Sequence, residues 1–134
     1  MKRKQQDGIN PLRDIRRSVV HGLAKLLILQ CAQHEPTYGG AISKTLRKFG
    51  HIMSPGTLYP LLHALEKARL LRSSTTQVQG RTRRYYTLTA AGNVCLDETQ
   101  KTVLPLLQEI LAAGQHEHPQ PTAEGPGSIP LATP

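Results

Sequence analysis

Tryptophan is absent from this sequence and phenylalanine occurs once, so aromatic residues make up only 4% of its 134 residues. The core has to come mainly from Leu, Ile, Val and Ala, which suits packed helices better than a β-sandwich. Long apolar runs are missing as well. The longest, residues 19–31, is interrupted by His21, Lys25 and Gln30 and falls short of the roughly 20 apolar residues that a membrane span needs. The basic start, Met1-Lys2-Arg3-Lys4, is followed by no apolar signal region, so a soluble, cytoplasmic protein with no membrane partner is expected. Two cysteines, Cys31 and Cys95, are too few for a disulfide framework and are expected to be reduced and buried. No ligand cluster with zinc spacing surrounds either, so neither a metal nor another cofactor is expected. A phosphate-binding glycine loop is also lacking, as is any nucleophile, base and orienter set at a recognisable spacing. An enzyme is therefore not expected. Acidic residues are scarce too: nine Asp and Glu stand against 17 Lys and Arg, a formal net charge of +8. That balance points to an acidic partner, nucleic acid first.

What is present is enough for one compact domain with tails. Residues 1–15 are polar and basic, broken by Gly8 and Pro11, and read as a flexible arm in whose second half a helix can begin. A first helix is predicted over about residues 16–33, with Val19, Val20, Leu23, Leu26, Leu27 and Cys31 as a broad apolar face. Pro36 ends it, because the residue before a proline avoids the helical region. A second helix over about 38–49 turns Ile42, Leu46 and Phe49 inward, and Gly50 closes it. A third helix carries the clearest signal. Ser54-Pro55 is an N-cap followed by proline at the first helical position, and Leu58, Leu61, Leu62 and Leu65 form one stripe.

Residues 70–78 then read as a strand, Gly80 as a turn, and residues 83–89 as the return strand, with Tyr85, Tyr86 and Thr87 as strand formers. Three helices followed by a hairpin is the winged helix-turn-helix order. The fold class is mainly α with a small β-hairpin, the winged-helix domain spanning 16–89. A long final helix over about 89–113 follows, with 90–113 as a C-terminal dimerisation helix. Leu96, Val103, Leu107 and Ile110 keep a heptad-like spacing, and Leu104, Leu106 and Leu111 widen the apolar surface. Pro105 removes one backbone bond within it. Residues 114–134 hold five prolines and few large side chains, the composition of a disordered tail.

Several stretches match a known pattern. Tyr38-Gly39 opens the second helix and Ser54-Pro55-Gly56-Thr57-Leu58-Tyr59-Pro60 the third; Leu65-Glu66-Lys67-Ala68-Arg69-Leu70-Leu71 follows. The run from Gly80 through Arg83-Arg84-Tyr85-Tyr86-Thr87-Leu88-Thr89 to Gly92 completes the set. With these motifs the chain resembles the PadR family of transcriptional regulators over roughly residues 26–110, and its single C-terminal helix is similar to the shorter-C-terminus branch. The resemblance implies a homodimeric winged-helix repressor that binds a near-palindromic operator in double-stranded DNA and responds to a small-molecule effector. Gly40 departs from the family pattern, in which an acidic residue more often follows Tyr-Gly.

The residues expected to meet DNA divide by chemistry. Ser54, Gly56 and Thr57 lie where helix amides and the helix dipole favour a phosphate. Tyr59, His63 and Lys67 continue along the polar side of a recognition helix, which the major groove is wide enough to admit. Arg81, Arg83 and Arg84 crowd the wing, suited to the backbone or the minor groove. Lys44 and Arg47 are in reach of phosphates from the second helix. The competing reading of the same residues is a solvated, capped helix face beside a solvated hairpin. At the level of function, the alternative is a winged-helix module that binds protein through these surfaces.

Overall fold

A computed structural model describes residues 10–115, with side chains through 113. The tail beyond 115 and most of the basic arm lie outside the described residues. The described chain runs α1 (Pro11–His34), α2 (Gly39–Lys48), α3 (Pro55–Lys67), β1 (Leu71–Val78), β2 (Arg81–Leu88) and α4 (Ala90–Gln115).

The first helix starts earlier than its apolar pattern suggested. Asn10 is extended at the N-cap and its side chain accepts from the Arg13 amide at 3.2 Å, with Pro11 at the first helical position. The broad face expected from Val19 to Cys31 needs correction as well: Val19 and Leu23 are exposed, and burial begins only at Ala24. In α2, Ile42 and Leu46 turn inward but Phe49 is 74% exposed. The helix stops at Lys48, and Gly50 at φ +76° reverses the chain, so Phe49 leaves the inward row. The amides of Gly50 and His51 close the end on the carbonyls of Arg47 and Leu46. Met53, four residues further on, joins the core instead.

α3 ends in the same way on Arg69, a non-glycine residue at φ +65°. The amides of Arg69 and Leu70 bond the carbonyls of Glu66 and Leu65. β1 and β2 pair antiparallel from Leu71↔Leu88 to Val78↔Arg81. Gln79 and Gly80 both have positive φ, the requirement of the two-residue turn that matches strand twist. Thr37 adds a short bridge to Tyr86, each amide bonding the other's carbonyl at 2.9 and 2.7 Å.

Thr89 then joins hairpin to helix. Its hydroxyl accepts from the Gly92 amide at 2.9 Å and donates to the Arg69 carbonyl at 2.7 Å, so it caps α4 and holds the turn after α3. Gly92 has to be glycine: a Cβ there would run into the Leu70 carbonyl and Leu88.

The core joins Ala24, Ile28 and Leu29 of α1, Ile42 and Leu46 of α2, the four leucines of α3, Leu71, Tyr86 and Leu96. Burial of each large aliphatic side chain contributes about 1.5–3 kcal/mol before conformational entropy is subtracted. The chain divides into two compact units within α4, between Glu98 and Thr99. The first is the winged helix with the opening turns of α4. Leu96, expected in a dimer seam, is 1% exposed and belongs to this core. The second holds the rest of α4, whose Leu104, Leu106, Leu107, Ile110 and Leu111 are exposed and Val103 half-buried. Pro105 lies inside the helix without ending it.

Candidate nucleic-acid interface

The opening of α3 is capped by position, not by the side-chain bond expected of Ser54. The Ser54 carbonyl receives the amides of Thr57 and Leu58, while its hydroxyl turns to Thr57 Oγ1 at 3.3 Å. The amide of Gly56 has no partner among the described residues, and Gly56, Thr57, Tyr59, Pro60, His63 and Lys67 are all exposed. The leucine stripe on the opposite side anchors this polar face to the core.

Glu66 ties α3 to the hairpin. It accepts from Ser73 Oγ at 2.5 Å and pairs with Arg84 at 3.5 Å. Both partners of the ion pair keep solvent contact, so it contributes little stability. Its effect is positional, aiming the second strand relative to α3.

The wing arginines separate by face. Side chains alternate along β2, so Arg84 shares the face of Tyr86 while Arg81 and Arg83 share that of Tyr85. The Arg83 guanidinium lies over the Tyr38 ring, 4.1 Å from its centroid, and its Nη1 donates to Tyr85 Oη at 3.4 Å. Tyr85 in turn meets Tyr38 edge to face at 5.5 Å. The Tyr85 hydroxyl favours the charged guanidinium of Arg83. Arg81 has no side-chain partner among the described residues. Burial, reinforced by Glu66 and opposed by Arg84, pushes the Tyr86 hydroxyl above the usual phenol range and keeps it neutral.

Between the start of α2, Tyr59 and the wing lies a groove of about 760 Å³. Tyr38, Gly39 and Gly40 form one wall and residues 78–84 of the wing most of the other. The Tyr59 ring lies against Gly39 so closely that a Cβ there would stand 2.8 Å from its hydroxyl. The first intrahelical amide bond of α2 is that of Ile42 to Tyr38, so the amides ahead of it are free. No acidic residue occupies the first turn of α2, so the departure at Gly40 leaves the helix start intact and this wall without negative charge. Guanidinium, phenol and amide donors around one opening suit an oxyanion such as a backbone phosphate.

The structure thus brings Tyr59, Arg81, Arg83 and Arg84 around one groove. Gly56 and Thr57 open instead onto a second groove, of about 600 Å³, beside His21 and Lys25 of α1. Lys44, Arg47, Ser54, His63 and Lys67 line neither. Tyr38, Gly39 and Tyr85 were not singled out from the sequence as interface residues. Tyr38 and Tyr85 meet across 47 positions, and no local spacing signals such a pair. Cys31 is half-buried, and its thiol is pushed up by burial, which a hydrogen bond with Thr45 opposes. No group of three or more His, Cys, Asp or Glu among the described residues is placed to hold a metal ion, and no described helix is long and apolar enough to cross a membrane.

Comparison with known proteins gives a consistent result. Residues 28–98 match the model of the transcriptional regulator PadR-like family. Transcriptional regulator Rv3488 of Mycobacterium tuberculosis is 37% identical over 105 residues, covering 78% of this chain and 94% of the relative. A PadR family transcriptional regulator from Eggerthella lenta superposes with a TM-score of 0.62 at 30% identity, over 79% of this chain and 97% of that one. A PadR-like transcriptional regulator from Bacillus cereus gives a TM-score of 0.67 at 27% identity, over 75% and 99%. With most of its core, its hairpin and its α3 motif inside the matched segment, the chain belongs to the PadR-like family of transcriptional regulators.

Proposed function

We propose that the chain binds double-stranded DNA sequence-specifically as a homodimer, with α3 in the major groove and the wing along the backbone, and represses transcription until an effector releases it. The observation that carries the DNA reading is the groove in which Arg81, Arg83, Arg84 and Tyr59 converge with the free amides of α2. Phosphate contacts there fix the register, and the exposed Thr57 and His63 reach toward base edges. Arg83 is braced by two tyrosines, so it holds the wing in place, while the unpartnered Arg81 is the stronger phosphate ligand. Lys44 and Arg47 flank the approach from α2.

Homodimerisation is supported by apolar surface that one copy leaves open. Leu104, Leu107, Ile110 and Leu111 are exposed in α4, and Leu12, Ile15, Val19 and Leu23 are exposed in α1. A two-fold dimer reads half-sites about one helical turn, or roughly 34 Å, apart. Repression and response to a small-molecule effector are what the family resemblance implies. Selection of bound fragments from genomic DNA by the full-length protein is expected to return one near-palindromic sequence. Enrichment of no sequence would refute specific binding. A second reading, a protein-interaction module, draws on Phe49 and Ile52, exposed by 74% and 76% beside the start of α3. Fragment selection separates the two.

A further inference from the structure

The first three turns of α1 project beyond the core and carry an ordered charge pattern. Arg13, Arg17, His21 and Lys25 recur at intervals of four, and all are exposed. At about 100° per residue, each step advances the row by about 40°. The four therefore stay on the side of α1 that, further along, buries Ala24, Ile28 and Ala32. The exposed apolar row of Leu12, Ile15, Val19 and Leu23 falls on the opposite side. Where the core runs out, the inward side of α1 becomes basic instead of polar-neutral. Its overhang lies toward α3: His21 and Lys25 line one groove with Gly56, Thr57 and Pro60, at the start of the recognition helix.

We infer that this row is a second phosphate track, gripping the DNA backbone on the side of α3 away from the wing; the inference rests on the DNA-binding reading above. None of the four side chains makes an ion pair or hydrogen bond among the described residues, so their donors are free. Asp14 is the acidic residue on this side, and it forms no ion pair there. Arginines in the first turns of a helix also work against its dipole, so the row lowers the stability of α1 and is not explained by it. From residue 13 to residue 25 the row rises about 18 Å, enough to follow a strand past the edge of the winged helix itself. A duplex resting on Gly56 and Thr57 already lies beside His21 and Lys25. An acidic protein surface would lack that continuity with the recognition helix.

The test compares full-length parent with an Arg13→Gln/Arg17→Gln/Lys25→Gln variant on the selected duplex. The slope of log affinity against log salt is expected to fall by about five for the bound dimer, near 0.9 for each of the phosphates, three per protomer, that the variant no longer neutralises. Hydroxyl-radical protection should shrink on the side of each half-site that faces the start of α3. A charge-keeping variant, Arg13→Lys/Arg17→Lys/Lys25→Arg, should retain the parent slope; a fall in its slope would overturn a purely electrostatic role. If the parent binds and the neutral variant keeps both slope and protection, the track does not exist and the DNA reading survives. If the parent protects no duplex, both fail together.

Discussion

In α1, Ala24, Ile28, Leu29 and Ala32 are buried, whereas Leu12, Ile15, Val19 and Leu23, nearer the start of the helix and on its other side, face solvent. The two rows carry similar apolar periodicity within one unbroken helix. They differ in what lies beside them: α2, α3 and the hairpin cover only the later stretch, on the side that holds the buried row. α4 repeats the contrast in reverse, with Leu96 buried early and Leu104, Leu107, Ile110 and Leu111 exposed later. Periodicity shows which residues share a face of a helix. Whether the chain itself supplies the surface that covers them is a property of the tertiary fold.

If that contrast is right, substitutions in the covered rows should act on folding and those in the open rows on association. The largest effect is expected at Gly92, where a side chain would have to displace the Leu70 carbonyl. Gly92→Val should cost about 4 kcal/mol or more and leave little folded protein in a denaturant titration. Ile28→Ala, at a fully buried position, should cost about 2–5 kcal/mol by the same measurement.

Leu107→Asp should leave the monomer fold intact, read by circular dichroism, and give monomers by sedimentation. An unchanged dimer would remove α4 from the interface. Ile15→Ala sharpens the comparison with Ile28→Ala. It should change monomer stability by less than about 0.5 kcal/mol while weakening self-association roughly tenfold, or about 1.4 kcal/mol. Measurements at several protein concentrations are needed, because dimerisation itself adds to apparent stability. The smallest effect is at Thr89. Thr89→Val keeps the shape but removes the cap on Gly92 and the bond to Arg69, costing about 1 kcal/mol of folding stability.

Much of the fold is legible in the sequence where the signal is local. Ser54-Pro55 and the leucine stripe mark α3, and Gly80 between two strand-forming runs marks the wing. The start of α1 is hidden because basic composition masks Asn10-Pro11, itself a cap-and-proline pair. Leu96 is misplaced by a heptad count, which continues across a point where the surroundings change from core to solvent. The brace of Tyr38, Arg83 and Tyr85 depends on the Thr37–Tyr86 bridge, which joins distant positions that periodicity does not encode.

That the face shared by α3 and the wing reads duplex DNA is tested most directly by a salt titration of the full-length protein on its selected duplex and on a scrambled duplex of equal length. Affinity for both should fall steeply with salt. The selected sequence should be preferred about 10³-fold or more near 0.15 M salt. Equal affinity for the two duplexes, or binding indifferent to salt, would contradict that reading.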